Sequence, residues 1–150
     1  MEKLSMTDTD YQGLSQIIKR LQFFRLMKGA QFDRLLARME LCAYERGETI
    51  FHKGDSPLAF YLVYTGLVRI HLGYRYWGLM RRFANLNPGN MFGEIGIFEK
   101  RLRSATAVAA KPTKLFVLGY EQFDELMKAD ADFSDVIKFI VSSRKAENQR

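Results

Sequence analysis

Between about Leu41 and Leu118 the chain contains no segment long enough to serve as a helix linking one strand to the next. It offers instead short runs rich in aromatic and β-branched residues: Thr49 to His52, Ala59 to Tyr64, Leu67 to Leu72, Leu79 to Leu86, Ser104 to Ala110 and Lys114 to Leu118. Arg46-Gly47, Lys53-Gly54-Asp55-Ser56-Pro57, Thr65-Gly66, Asn87-Pro88-Gly89-Asn90 and Lys111-Pro112 divide them with turn chemistry. Parallel strands need crossovers of a dozen or more residues, so a parallel α/β sheet is excluded. Short strands separated by turns predict an antiparallel jelly-roll barrel.

Helical periodicity flanks this region. Leu14, Ile17, Ile18, Leu21 and Phe24 recur at helical spacing, and after Lys28-Gly29 so do Phe32, Leu35, Leu36 and Met39. These stripes predict helices within about residues 10–40. After Gly119, Tyr120, Phe123, Leu126 and Met127, then Phe133, Val136, Ile137, Ile140 and Val141, predict two more within about residues 120–147. The residues after Val141 are polar on every face, an end expected to fray or to meet a partner. The fold class is therefore α+β, a β-barrel over about residues 41–118 flanked by N-terminal and C-terminal helices. No repeat or linker interrupts it, and residues 1–150 are expected to form a single domain.

Charge narrows the choice of partner. The net charge is +6, and the sequence pI of about 9.5 points to something anionic. No carboxylate lies between Asp55 and Glu94, where Arg69, Arg75, Arg81 and Arg82 fall. From Glu121 to Asp135 the balance reverses, with Glu121, Asp124, Glu125, Asp130, Asp132 and Asp135 against Lys128 alone. About thirty residues follow the last strand, too few for a helix-turn-helix domain beyond the barrel's own closing helices, so DNA binding is not expected. No apolar run approaches a bilayer span, and the acidic start MEKLSMTDTD is unlike a signal peptide. A cytoplasmic protein without membrane contact is expected. Cys42 has no second cysteine to pair with, and with His52 and His71 it makes too sparse a set for a metal site.

One stretch carries chemistry. Phe92 to Ala107, FGEIGIFEKRLRSATA, leaves a strand, turns at Gly93, makes about one apolar helical turn, crosses a charged loop and re-enters a strand near Ser104. Gly93 lets backbone approach a ligand, and the turn after it presents amide donors suited to a phosphate. Arg103 can fork onto two phosphate oxygens in a way a lysine cannot match. Ser104 adds a hydroxyl, and Glu94 is an acceptor suited to sugar hydroxyls. Each piece alone is commonplace, since most arginines near a glutamate form surface ion pairs of little worth. Their conjunction on one loop of a barrel, in a carboxylate-poor stretch, is what points to a phosphorylated sugar.

The stretch resembles the phosphate-binding cassette of the cyclic-nucleotide-binding domains found in bacterial catabolite-activator-type regulators, kinase regulatory subunits and gated channels. That cassette looks like Phe-Gly-Glu-(Leu/Ile)-(Ala/Gly)-(Leu/Ile), a variable loop, then Pro-Arg-(Ala/Ser/Thr)-Ala-Thr-Val. Here Phe92 to Ile97 and Arg103 to Thr106 match it, while Leu102 replaces Pro and Ala107 replaces Val. ERGETIFHKGDSPLAFYLVYTGLVRI and LNPGNMFGE are similar to the family's opening strands and its approach to the cassette, and the likeness spans about Leu21 to Met127. The resemblance implies that Glu94 holds the ribose 2′-hydroxyl and Arg103 the cyclic phosphate, with the amides of Gly93, Ile95 and Ser104 around them. It places Ile70, Phe83 and Ala105 against the base. It implies a stand-alone sensor of cAMP, with cGMP second, because bacterial activators with Ser at this place take cAMP. The output would pass to an effector protein, or to a second copy, through the C-terminal helix.

Other classes are an interaction module with an unused pocket, a nucleic-acid binder using Arg75, Arg81 and Arg82 beside Tyr74, Tyr76 and Trp77, and a metal-dependent cupin enzyme. The last needs clustered histidines that His52 and His71 do not supply. No nucleophile elbow, HExxH or P-loop is present, so the chain is read as a non-enzyme without a cofactor.

Overall fold

Alternation along two strands organises the molecule. In the computed structural model, β4 (Ala59–Thr65) and β9 (Thr113–Gly119) pair antiparallel at the centre of one sheet. Ala59, Tyr61, Val63 and Leu115 point to one side, and Phe60, Leu62, Phe116 and Leu118 to the other, all of them buried. Period-two alternation with apolar residues in both phases requires cover on both faces. One face receives a second sheet; the other receives the helices.

The structure describes residues 1–21, 27–75 and 80–148, and the side chains of these except 72–75, 80–82, 95, 98, 140, 141 and 143–148. The five-stranded sheet runs β1 (Glu2–Leu4), β2 (Glu40–Tyr44), β9, β4, β7 (Met91–Phe92). The four-stranded sheet runs β3 (Thr49–Phe51), β8 (Thr106–Ala109), β5 (Val68–Arg75), β6 (Met80–Leu86). All pairings are antiparallel, and the two sheets close on a core that includes Tyr44, Tyr61, Val68, Phe92, Ala107 and Leu115. This is the expected jelly roll.

The helices form the third layer. α1 (Asp8–Arg20) opens on a capping box, with the Thr7 hydroxyl accepting from the Asp10 amide at 3.2 Å and the Asp10 carboxylate accepting from the Thr7 amide at 2.9 Å. α2 (Gly29–Arg38), α4 (Tyr120–Ala129) and α5 (Ala131–Asn148) join it. Leu14, Ile18, Leu35, Phe123, Leu126, Phe133 and Ile137 are buried against Phe60, Leu62 and Phe116. The short α3 (Glu94–Glu99) lies within the cassette.

The sequence reading differs from the structure at the ends and at β2, Glu40–Tyr44, which no predicted run covers. Glu2–Leu4 is a strand, paired with Leu41–Ala43, although three residues of EKL carry no alternation to betray it. β8 begins at Thr106 rather than Ser104. Phe24, Tyr76 and Trp77 fall outside the described residues, as do the side chains of Ile140, Val141, Tyr74, Arg75, Arg81 and Arg82.

Candidate functional site

Gly93 makes the first turn of the cassette possible. It sits at φ +79°, a left-handed conformation that favours glycine, and it is the N-cap of α3. A side chain there would also collide: a Cβ would lie 2.9 Å from Arg103 Nη1 and 3.2 Å from Tyr61 Cδ2. α3 ends with Lys100 in the left-handed region and with the Arg101 amide donating to the Gly96 carbonyl at 3.0 Å. The loop then returns to β8 through Arg103.

The backbone of Arg103 is held from outside the cassette. Its amide donates to the Asp55 carbonyl at 2.8 Å, and its carbonyl accepts from the Gly54 amide at 2.8 Å. The Gly54-Asp55 turn is itself closed by the Asp55 carboxylate, which accepts from the His52 amide at 2.8 Å. These bonds tie down the segment in which Leu102 replaces the family's proline. Leu102 is 62% exposed, and the rigidity a proline ring would supply is here shared with a turn almost fifty residues earlier.

The side chain of Arg103 goes inward and is only 5% exposed. Nη1 donates to the Gly93 carbonyl at 2.6 Å, and Nη2 donates to the Ala59 carbonyl. The guanidinium carbon stands 4.2 Å from the centroid of the Phe51 ring and 5.9 Å from that of Tyr61. Burial pulls its pKa below the ordinary arginine value, while Tyr61, Asp55 and Glu94 act in the opposite sense. An arginine remains charged at neutral pH regardless. Nε is buried and has no hydrogen-bond partner. A buried cation with one unmet donor is a costly group to keep unless something anionic completes it.

The other expected residues take distinct places. Glu94 opens α3 and is only 5% exposed, so the cassette holds a buried carboxylate and a buried guanidinium within each other's electrostatic reach. Ser104 is exposed and Ala105 half-buried, both just before β8. Ile95 lies in α3, with its side chain outside those described. Ile70 is half-buried and packs into the inter-sheet core. It pairs with Ala107 on one side and Ala84 on the other, while Phe51 pairs with Ala107 in turn. Phe51, Ala107, Ile70 and Ala84 thus form a row across the inner face of the four-stranded sheet.

Phe83 is not in that row, and the expectation that it shares a pocket with Ile70 is corrected. It pairs with His71, one residue out of phase with Ile70, so it points to the opposite face. There it is 43% exposed, edge-on to His71 at 4.8 Å and 5.6 Å from the Arg69 guanidinium. The signal was in the sequence: Phe83 shares its phase with polar Asn85, whereas Ala84 shares its phase with Leu86. Three contributors went unanticipated, namely Phe51, Tyr61 and the Ala59 carbonyl. Nothing local marks them, because each reaches Arg103 only through strand pairing. Tyr61 is buried, which pushes its phenol above the usual range against the opposing pull of Arg103.

Among the described residues no group of three or more His, Cys, Asp or Glu could hold a metal ion, and no helix is long and apolar enough to cross a membrane. A family model described as the cyclic nucleotide-binding domain matches residues 41–130, more than half of the chain. The cyclic AMP receptor protein of Thermus thermophilus is 35% identical over 114 residues, covering 74% of this chain and 51% of that protein. A putative potassium channel protein of Rhodopseudomonas palustris is 29% identical over 132 residues, covering 88% of this chain and 31% of that protein. The N-terminal domain of a transcriptional regulator from Streptomyces coelicolor superposes with a TM-score of 0.76 at 25% identity, covering 89% of this chain and 92% of that one. The chain therefore spans about half or less of the length of these two curated relatives.

Proposed function

Because the chain belongs to the cyclic nucleotide-binding domain family, we propose that it is a sensor that binds one 3′,5′-cyclic nucleotide, cAMP in preference to cGMP, and signals to a partner protein. The observation that carries this reading is the buried Arg103 guanidinium, held in place by two carbonyls and with Nε still lacking an acceptor. A cyclic phosphate supplies that acceptor and the compensating charge together. Glu94 accepts from the ribose 2′-hydroxyl, Ser104 and the cassette amides complete the phosphate cradle, and Ile70 and Ala105 border the base. Support for cAMP is the Ser at position 104 in a cassette similar to those of bacterial activators, together with the name of the Thermus thermophilus relative.

The function is regulatory rather than catalytic in this reading. The signal leaves through rearrangement of α5, whose Phe133 and Ile137 are buried in the helical layer. Its partner is an effector protein or a second copy of the chain.

Calorimetric titration of nucleotide-stripped protein with cAMP and cGMP tests the proposal. One site per chain and tighter cAMP binding are expected, and at 100 times the dissociation constant the ligand adds about 2.7 kcal/mol of stability. Absence of heat and of thermal shift with both nucleotides defeats the sensor reading. Tighter cGMP binding defeats only the choice of base.

A further inference from the structure

The guanidinium of Arg103 occupies a slot whose walls are made partly of missing side chains. A Cβ on Gly93 would lie 2.9 Å from Nη1, and one on Gly96 would lie 3.2 Å from the same nitrogen and 3.0 Å from Pro57 Cβ. Two glycines on one loop therefore leave the room that Nη1 fills. The remaining walls are aromatic, the Phe51 ring 4.2 Å from the guanidinium carbon and the Tyr61 ring 5.9 Å from it. Phe51 is itself braced, with its ring 5.9 Å from that of Tyr61 and 6.1 Å from that of Phe92, and Tyr61 stacks on Phe92 at 5.0 Å. A charged group in such a slot is attracted to the ring face, an effect that grows as water is excluded.

We propose that Phe51 is the positioning residue of the cassette: its ring holds the Arg103 guanidinium in the glycine slot, so that the charge, with the buried Nε still lacking an acceptor, has a fixed place before a phosphate completes it. The inference rests on the reading that Arg103 takes the phosphate. It differs from that reading in assigning part of the affinity to a β3 residue outside the cassette. The carbonyls of Gly93 and Ala59 fix Nη1 and Nη2 in direction, but two bonds leave the plane free to tilt about the line joining them. The ring removes that freedom. Because the guanidinium is ordered before the ligand arrives, the ligand bears less of the ordering cost, which is the source of affinity in a preorganised site.

Phe51→Leu and Phe51→Tyr separate this role from simple packing. Leu keeps an apolar side chain and loses the ring face; Tyr keeps the face. The expected result is cAMP affinity roughly tenfold weaker for Phe51→Leu and parent-like for Phe51→Tyr. The Arg103 Nε–H resonance provides a second readout that packing alone does not move. In the unliganded parent it is shifted by the ring and slow to exchange with solvent; in Phe51→Leu it loses the shift and exchanges faster, while Phe51→Tyr retains both. Parent-like cAMP binding by Phe51→Leu, or equal weakening in both variants, overturns the inference and leaves the sensor reading standing. Should the parent bind neither nucleotide, the sensor reading falls, and the resonance alone decides whether Phe51 positions Arg103: the same shift in the parent and Phe51→Leu refutes it.

Discussion

The two faces of the five-stranded sheet are built from the same strands to opposite ends. Toward the helices, Phe60, Leu62, Phe116 and Leu118 meet Leu14, Ile18, Leu35, Leu126, Phe133 and Ile137 in an apolar layer. Toward the second sheet, Tyr61 and Phe92 share their space with the Arg103 guanidinium. Hydrophobic burial is non-directional and tolerates approximate shape. A buried cation requires particular partners at particular angles. One face accordingly supplies stability, and the other gives up some of it to hold a charge.

Truncation on each face tests that division. Phe116→Ala, on the helical face, should lower unfolding free energy by about 3–5 kcal/mol, the usual cost of emptying a large buried aromatic. Chemical denaturation measures this, and cAMP affinity of the folded protein should be unchanged. Arg103→Ala should do the reverse, weakening cAMP binding by an amount on the order of 2–5 kcal/mol by analogy with truncated buried charge pairs, with a smaller effect on denaturation. If the two variants lose stability and affinity in the same proportion, the faces act as one unit and the division fails.

A finer effect concerns the buried carboxylate. Glu94→Ala should reduce cAMP affinity less than Arg103→Ala, and it should abolish any preference for cAMP over 2′-deoxy-cAMP. Titration of both ligands against both proteins checks it; equal affinity of the parent for the two ligands removes the ribose role from Glu94.

The smallest expected effect lies at the α4–α5 joint. Asp130 accepts from the Phe133 amide at 3.1 Å and from Gln31 Nε2 at 3.4 Å, with Arg34 Nη1 at 3.6 Å. The Phe133 amide, followed by lesser contributions from Gln31, the Asp132 amide and Arg34, holds its carboxyl below the usual aspartate range despite some opposing desolvation. A depressed folded-state pKa means a contribution present above the unfolded value and lost as pH falls through the folded one. Stability of the parent should therefore decline on the acid side of the ordinary aspartate range, and Asp130→Asn should flatten part of that decline. Thermal unfolding across acidic pH measures the difference, while cAMP affinity at neutral pH should stay as it is.

Much of this was legible in the chain. The strand runs, the helical stripes and the Gly93-Glu94 and Arg103-Ser104 pairs lie within segments whose local pattern is sufficient to read them. Thr7 and Asp10 cap α1 by a rule that spans three residues. The edge strand Glu2–Leu4 escaped because its pairing partner, not its composition, makes it a strand. Apolar character without phase does not tell which face Phe83 takes, and Phe51 carries no local mark because a phenylalanine in a strand is ordinarily core.

What the sequence by itself determined is the antiparallel class, the flanking helices and the identity of the groups on the cassette loop, all consequences of periodicity and of residues close in the chain. What only the tertiary structure decided is where those groups point. Strand register sets side-chain phase, and a shift of one residue exchanges the two faces. That register put Phe83 outside and Ile70 inside. It likewise brought the Phe51 ring and the Ala59 carbonyl, 52 and 44 positions before Arg103 in the chain, to the guanidinium. Contacts over such separations depend on the packing of both sheets at once, and no local stretch of residues encodes them.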